Sequence, residues 1–254
     1  MRTEATYLVL RLDAPLQSWG SVAMDPVRPT HDFPTRSALV GLLASALGWR
    51  YLDGERINLL QSALRYAVRE ETPPRRLRDY QTADLGRIGQ EGWTRWGLEK
   101  RGGASAKDTH LLEKFYLADG VFTVVLTLLG DSPVQLSEIA EALRRPSRPL
   151  FLGRKSCPPA SPILVGQIEA PSGYEALKRW PARPLDSRGP RTEPMVDDHG
   201  MRCWYADGDG PDEGEPQSIW DRRDFVLDRF GGDRRIRQHR VSPPIEPSTV
   251  ESPI

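Results

Sequence analysis

The sequence predicts an α+β fold, in which an antiparallel β-sheet carries two helices on one face. In residues 7–12 and 122–128, apolar side chains recur at every second position, as they do in strands. Residues 36–47 and the segment after Ser132 instead repeat apolar residues every three or four positions, as amphipathic helices do. Residues 163–168 form a further candidate strand. The resulting order is strand, helix, strand or strands, helix, strand.

The first strand and the first helix have well-defined ends. Leu8, Leu10 and Leu12 lie on one side of the strand. Thr35 is a suitable N-cap for the helix and Gly48 a suitable residue to end it, which predicts a helix from about Arg36 to Leu47. Its apolar positions are Leu39, Leu42, Leu43, Ala46 and Leu47.

The second strand and the second helix follow the same logic. Phe122, Val124, Leu126 and Leu128 share one face of a strand. Ser132, Pro133 and Gln135 then supply an N-cap, a first-turn proline and a capping-box glutamine. The helix that they predict has an apolar face made of Leu136, Ile139, Ala140 and Leu143.

This element order is that of a ferredoxin-like or RNA-recognition-motif sandwich. Because both helices cover one face of such a sheet, we expect the other face to be open to a ligand. Residues 1–170 are predicted to form this domain, with an insertion at about 77–117. Residues 171–254 are predicted to form a loop-rich extension with short strands near 225–227 and 236–241, and a disordered tail from Ser242.

The insertion between Val68 and Val121 is too long for an ordinary hairpin turn. Its middle is rich in glycine and interleaves Trp93 and Trp96 with arginines and lysine. A mobile surface loop is one explanation. The other is a projecting β-hairpin whose aromatic and basic groups become ordered on RNA or on a partner protein, and the tryptophans favour it.

The charge composition excludes a protein that coats nucleic acid by charge alone. The 254 residues contain 35 Lys and Arg against 35 Asp and Glu. Thirty of the cations are Arg, which reflects either genome composition or a warm habitat, or a need for guanidinium groups that grip phosphate. With two cysteines and no apolar run of membrane-spanning length, we expect a cytoplasmic protein without membrane contact.

The segment from Gly153 to Cys157 is the leading candidate site. Arg154 and Lys155 could lower the pKa of a catalytic thiol, but no histidine lies in a recognisable partner motif, so a packed cysteine is the better interpretation. Read as an anion-binding loop, the segment offers close backbone approach at the glycine, two cations and the Ser156 hydroxyl. A solvated turn remains the alternative.

Other chemistry has weaker support. His199 and Cys203, four residues apart and just after two aspartates, lack a second paired ligand motif, so we expect no metal site. Phosphate-loop and dinucleotide-binding glycine motifs are absent from the sequence. Tyr80, His110 and Lys114, on the two limbs of the predicted hairpin, could form a metal-independent ribonuclease set, or could instead stack on bases and contact phosphates.

Several of these segments together closely resemble the CasD family, the RAMP-superfamily subunits of type I-E CRISPR Cascade complexes. The likeness extends from the first strand to about Leu164, and it is looser in the C-terminal third. The segments that carry it are 10–12, 15–20, 28–30, 33–37, 41–43, 77–82 and 151–158.

The resemblance implies a modified RNA-recognition fold in which the insertion is the thumb of the family. It implies a non-catalytic subunit, without metal or cofactor, that holds the 5′ handle of the CRISPR RNA (crRNA). Its expected partners are the Cascade backbone subunit, whose filament it caps, and the large subunit, which reads the PAM; target DNA is met only through the complex. Because a related subtype uses its counterpart to process precursor crRNA, the alternative is a metal-independent endoribonuclease.

Family positions that match this sequence give the expected RNA contacts. They lie at the exit of the first strand, at the entrance of the first helix, at the base of the thumb and in the glycine-containing loop. The expected residues are Gln17, Ser18, Trp19, Arg28, Arg36, Arg78, Tyr80, Gln81, Thr82, Gly153, Arg154, Lys155, Ser156 and Cys157.

Overall fold

The computed structural model describes residues 3–20, 26–50, 52–84, 91–94, 97–100, 109–181, 201–206, 218–225 and 234–245. Helices in these ranges are α1 (Arg36–Ala46), α2 (Gly54–Ala63), α3 (Leu136–Arg144) and α4 (Gly173–Arg179). The strands are β1 (Ala5–Asp13), β2 (Leu16–Gln17), β3 (Trp19–Gly20), β4 (Val27–Arg28), β5 (Thr30–His31), β6 (Leu64–Thr72), β7 (Arg75–Asp84), β8 (Glu91–Thr94), β9 (Gly97–Lys100), β10 (Thr109–Ala118), β11 (Val121–Leu128), β12 (Leu164–Ala170), β13 (Met201–Ala206), β14 (Ser218–Phe225) and β15 (Arg234–Ile245).

The main sheet confirms the predicted α+β fold class. Its seven described strands run in the order β12-β1-β11-β6-β13-β15-β14, and each neighbouring pair is antiparallel. Strands β1 and β11, predicted from alternation, and β12, the further candidate strand, lie side by side in it. Strand β6, which sequence periodicity did not identify, completes the centre of the sheet.

Helices α1, α2 and α3 pack on one face of this sheet. The sheet contributes to this core the leucines at positions 8, 10 and 12 and the apolar residues at 122, 124 and 126. The helices contribute Leu39, Leu43, Leu60 and Ile139. The side chain of Thr35 accepts a hydrogen bond from the Ala38 backbone and caps α1 as predicted. Gly48, with φ of +78°, follows the end of that helix.

The start of the second predicted helix differs from the prediction. Gln135 is the N-cap of α3, and the Gln135 backbone amide donates to Glu138 at 2.6 Å in a capping box. Ser132, the predicted cap, instead donates its hydroxyl hydrogen to the Val134 carbonyl. The helix therefore begins three residues later than Pro133, because Gln135 and Glu138 satisfy its first amide groups.

The opposite face of the sheet is not open, contrary to expectation. Helix α4, which the sequence analysis missed, covers it with Ala176 and Leu177, which pack against Tyr7, Val9 and Val125. The side chains of Val9 and Val125 are fully buried. At this part of the sheet, a ligand therefore cannot lie on the face that an RNA-recognition motif usually exposes.

A buried ion pair fastens α4 to the sheet. On β6, the Arg69 guanidinium donates to the Glu71 carboxylate at 2.6 and 2.9 Å. Arg69 also donates to the carbonyl groups of Leu177 and Trp180 at the end of α4. The hydroxyl of Thr123 donates to the same carboxylate. The end of α4 thus depends on one cation that is almost completely withdrawn from water.

The insertion forms a hairpin of long strands, which confirms the predicted projecting element. Strands β7 and β10 pair antiparallel without a register shift, from Arg75–Ala118 to Asp84–Thr109. At the root, β10 also pairs with β2 and, in parallel, with β4. Strands β8 and β9 pair within the insertion. We call residues 75–118 the hairpin.

The C-terminal part adds strands to the edge of the main sheet. Strand β13 pairs with β6 and β15, and β15 pairs with β14. Strand β14 ends at Phe225, so residues 226 and 227 of the predicted short strand lie outside the described residues. Strand β15 covers predicted residues 236–241 and continues to Ile245, into the first residues of the predicted tail. The rest of that tail lies outside the described residues.

Among the described helices, none is long and apolar enough to cross a bilayer.

Replacing Arg69 by Met should lower the free energy of unfolding by about 3–5 kcal/mol, because Glu71 would stay buried without its cation. Chemical denaturation would measure this loss. Arg179→Met is the matched control, since Arg179 pairs with Glu4 at an exposed site and such pairs contribute about 1 kcal/mol or less. Equal losses in the two variants would contradict the role assigned to Arg69.

Candidate nucleic-acid interface

An open pocket of about 350 Å³ lies where the start of α1, strand β4 and the loop after α3 meet. We call it the first pocket. It brings together residues that are far apart in the chain, including four of the predicted contacts: Ser18, Arg28, Gly153 and Arg154. The remaining lining residues are Gly20, Pro29, Ser37 and Ala38.

The glycine of the loop is explained by the protein's own backbone. Gly153 has φ of +100°, and a Cβ atom built on it would lie 1.7 Å from the carbonyl oxygen of Ser18. The Ser18 amide donates to the Leu152 carbonyl at 3.0 Å, which holds the two segments together. Only glycine therefore fits here. The predicted close backbone approach exists, but Ser18 is the group approached.

Arg154 ties the loop to the hairpin root. Its guanidinium donates to the carbonyl groups of Phe115 and Arg28, both at 2.9 Å, and lies 4.6 Å from the centre of the Tyr116 ring. These bonds use two of the five N–H groups that a guanidinium carries. The side chain can thus position the loop and still present positive charge to the first pocket. Beside it, Lys155 and Ser156 are exposed at the tip of the loop.

The electrostatics of the first pocket favour an anion. Arg28 and Arg154 both line it, and the lining residues that the structure describes include no carboxylate. Ser37 and Ala38, in the first turn of α1, complete the wall. The amide groups at the start of a helix carry partial positive charge. A phosphate group would meet complementary charge on each of these sides.

Four of the predicted contact residues are buried and do not line the first pocket. Trp19 packs edge-on against the Phe122 ring, and Arg36 donates to the Gln61 carbonyl at 3.1 Å. Gln17 donates to the carbonyl groups of Leu12 and Gly120 and so joins the end of β1 to the start of β11. These three side chains and that of Cys157 are buried, so we assign them to the fold and not to the surface of the pocket.

The thiol of Cys157 is poorly suited to nucleophilic chemistry. Burial raises the pKa of Cys157, and the hydrogen bond with Ser156 and the influence of Arg154 offset this only in part. A buried neutral thiol is unreactive. The Cys157 backbone has a clearer role, because its carbonyl accepts from the Leu152 amide at 2.7 Å and its amide donates to the Arg154 carbonyl at 2.9 Å.

The predicted contacts of the hairpin lie outside the first pocket. Arg78 forms an ion pair with Glu113 at 2.5 Å, and both Tyr80 and Thr82 are exposed. Gln81 points to the other face of the hairpin, where its amide oxygen accepts from Lys114 at 2.6 Å. Strand β4 pairs with β10 so that Arg28 lies beside Lys114. The face of the hairpin that carries Gln81 and Lys114 is therefore continuous with the cations of the first pocket.

Sequence reasoning did not single out three residues that shape the site. Ser37 and Pro29 line the first pocket, and Tyr116 supports the Arg154 guanidinium. Ser37 and Pro29 lie inside the segments 33–37 and 28–30 that carried the family resemblance, which was the available signal. The signal for Tyr116 was weaker, because its contact to the loop spans 38 positions and depends on the hairpin register.

No group of three or more His, Cys, Asp or Glu side chains that could hold a metal occurs among the described residues. His199, one of the two residues of the weak sequence motif, lies outside them, and the other, Cys203, is buried.

The fold defines a RAMP-type protein, in which an antiparallel sheet with helices carries a projecting hairpin. The family model described as CRISPR-associated protein (Cas_Cas5) matches residues 7–241. The chain belongs to the CRISPR-associated Cas5 family, which confirms the resemblance found in its sequence motifs.

Individual relatives agree with this assignment. The chain is 34% identical over 183 residues to the CRISPR system Cascade subunit CasD of Escherichia coli (strain K12), covering 69% of this chain and 77% of that protein. A chain of a CRISPR RNA-guided surveillance complex superposes with a TM-score of 0.69 at 28% identity, covering 96% of this chain and 92% of that one. A crystal structure of a Cas protein superposes with a TM-score of 0.55 at 27% identity, covering 95% of each chain.

Gly153→Ala should displace the loop, because its new methyl group would overlap the Ser18 carbonyl. Gly130→Ala is the matched control, since Gly130 also has positive φ but has no atoms within 4 Å of a built Cβ. The control should cost about 1–2 kcal/mol through backbone conformation alone. Gly153→Ala should cost more in chemical denaturation; equal costs would contradict the close contact.

Proposed function

We propose that this chain is the non-catalytic crRNA-binding subunit of a type I-E Cascade complex, and that it holds the 5′ handle of the crRNA at the first pocket. Family membership and the likeness to the E. coli Cascade subunit support the complex. The observation that carries the RNA assignment is the convergence of Arg28, Arg154 and the start of α1 on one open pocket.

This arrangement suits a single strand of RNA. Bound single strands need cations that follow the phosphates, and polar groups that meet bases and 2′-hydroxyls. The first pocket and its rim supply both, through Arg28 and Arg154 and through the hydroxyl groups of Ser37 and Ser156. Lys155, exposed at the tip of the loop, adds a cation that the strand can meet without rearrangement.

The hairpin is proposed to contact the neighbouring backbone subunit, where the chain caps the filament. Its outer part presents Tyr80, 55% exposed, and Leu111, 43% exposed. The register pairs Tyr80 with Glu113 and Leu111 with Thr82, so the two apolar side chains share one face. Exposed apolar groups on a projecting element are suited to a protein partner. We also propose that the chain helps to seat the large subunit and that it meets target DNA only through the complex.

The geometry does not favour the alternative, a ribonuclease that processes precursor crRNA. Tyr80 pairs with Glu113 while Lys114 pairs with Asp79, so Tyr80 and Lys114 lie on opposite faces of the hairpin. His110 lies four residues along β10 from Lys114, about 13 Å away in the backbone. Tyr80 and Lys114 therefore do not face the same side of the hairpin, as a shared reacting phosphate would require.

Arg28→Ala and Lys155→Ala should each weaken retention of crRNA by the purified complex. Complexes co-expressed with a CRISPR array would be washed at rising salt concentration, and the retained RNA quantified. Each lost phosphate contact should reduce the slope of log affinity against log salt by about 0.7. Arg145→Ala is the matched control, because Arg145 is 87% exposed and lies outside the first pocket.

Unchanged slopes in both test variants would contradict the proposed binding site. A parallel incubation of the isolated chain with repeat RNA in chelator tests the absence of catalysis. Specific cleavage that is lost in Lys114→Ala would establish the ribonuclease instead.

A further inference from the structure

A second open pocket, of about 340 Å³, lies farther along the outer face of α1. It is bounded by α1, by α2 and by the segments that follow α1 and α3. We call it the second pocket. Its lining residues are Ser37, Val40, Gly41, Ala44, Ser45, Trp49, Arg50, Ile57, Gln61 and Arg148.

The two pockets adjoin at the start of α1, and we call the two together the groove. Ser37 lines both of them. The segment after α3 runs beside the helix, because the Ser147 amide donates to the Ala46 carbonyl at the end of α1, while Gly153 lines the first pocket near its start. From Ser37 to Ser45 the helix rises about 12 Å, a distance that a few nucleotides of a single strand can bridge.

Cations lie at the far end of this groove as well. Arg50 and Arg148 line the second pocket, and the Arg148 guanidinium donates to the Trp49 carbonyl. The Arg56 guanidinium lies 4.6 Å from the centre of the Trp49 ring. The lining residues that the structure describes include no carboxylate. The charge of the second pocket is therefore complementary to the same kind of ligand as that of the first.

The walls of the second pocket suit a base. The buried side chains of Val40, Trp49 and Ile57 form its apolar floor, while Ser45 and the buried Gln61 add polar groups to the lining. Ligand sites commonly combine apolar walls with a few polar groups that orient the ligand. Arginine at the rim can hold the attached phosphate.

A glycine in the middle of α1 lines the second pocket. Gly41 is exposed, and a Cβ atom built on it would meet nothing within 4 Å. Glycine inside a helix is less favourable than alanine by roughly 0.5–1 kcal/mol. Packing inside the protein does not require glycine at this position, unlike at Gly153. A long side chain at this position would instead extend over the second pocket.

We propose that the second pocket binds a nucleotide of the same single-stranded RNA, with its base between α1 and α2 and its phosphate at Arg50 and Arg148. The inference rests on the proposed function, because the strand reaches the second pocket from the first. RNA contact then extends along the whole outer face of α1.

Gly41→Met tests this site, since the substitution favours the helix while its side chain obstructs the groove. The full chain would be titrated into labelled single-stranded RNA of the repeat sequence, with fluorescence anisotropy as the readout. We expect affinity to fall about tenfold, the size of one lost base contact. Arg50→Ala should reduce the salt slope by about 0.7. Ser62→Met and Arg145→Ala are matched controls at exposed positions outside both pockets, and should bind as the unaltered chain does.

The outcomes separate this inference from the proposed function. If Gly41→Met binds as tightly as Ser62→Met while Arg28→Ala binds weakly, the second pocket is not an RNA site and the first remains one. If Arg28→Ala also binds normally, the proposed function itself fails. If Gly41→Met keeps full RNA affinity but loses a protein subunit from the purified complex, the occupant is a protein and the inference is overturned.

Discussion

The contact between the Gly153 backbone and the Ser18 carbonyl is the constraint on which the candidate interface depends. It brings the loop after α3 against the corner that follows β1, and a side chain at position 153 has no room there. Once the loop is in place, Arg154 can reach the carbonyl groups of Phe115 and Arg28. The hairpin root, β4 and the start of α1 then surround one pocket. The positive charge of the interface is thus arranged by backbone packing.

The second feature that determines the proposed RNA path is helix α4, which covers part of one face of the main sheet. Because α4 packs on Val9 and Val125 and is fastened by Arg69, that part of the face is covered by protein. The proposed RNA path consequently follows α1 on the helical side of the sheet, between the hairpin root and α2. In this proposal, an RNA-recognition fold keeps its element order and uses a different surface for its ligand.

Local sequence patterns predicted the helices and strands, while contacts between distant segments determine which residues meet at the candidate site. Alternating residues in β1 and β11 and the Thr35 cap of α1 are encoded within a few positions, so the fold class could be predicted. Helix α4 was missed because its seven residues are too few for a clear period, and its attachment to Arg69 spans more than a hundred positions. For the candidate site, sequence motifs indicated the segments that meet at the first pocket but not the direction of each side chain. Trp19 and Arg36 illustrate this, since both lie in those segments and both point into the core.

Photochemical cross-linking would show which surface of this chain the RNA contacts. RNA containing 4-thiouridine would be bound in the complete complex and irradiated, and the cross-linked peptides of this chain identified by mass spectrometry. If the RNA lies along the two pockets, cross-links form at Arg28, at residues 153–156 and along the outer face of α1. Cross-links confined to α4 and β12, with none at these positions, would place the RNA on the opposite side of the sheet and contradict the proposed RNA path.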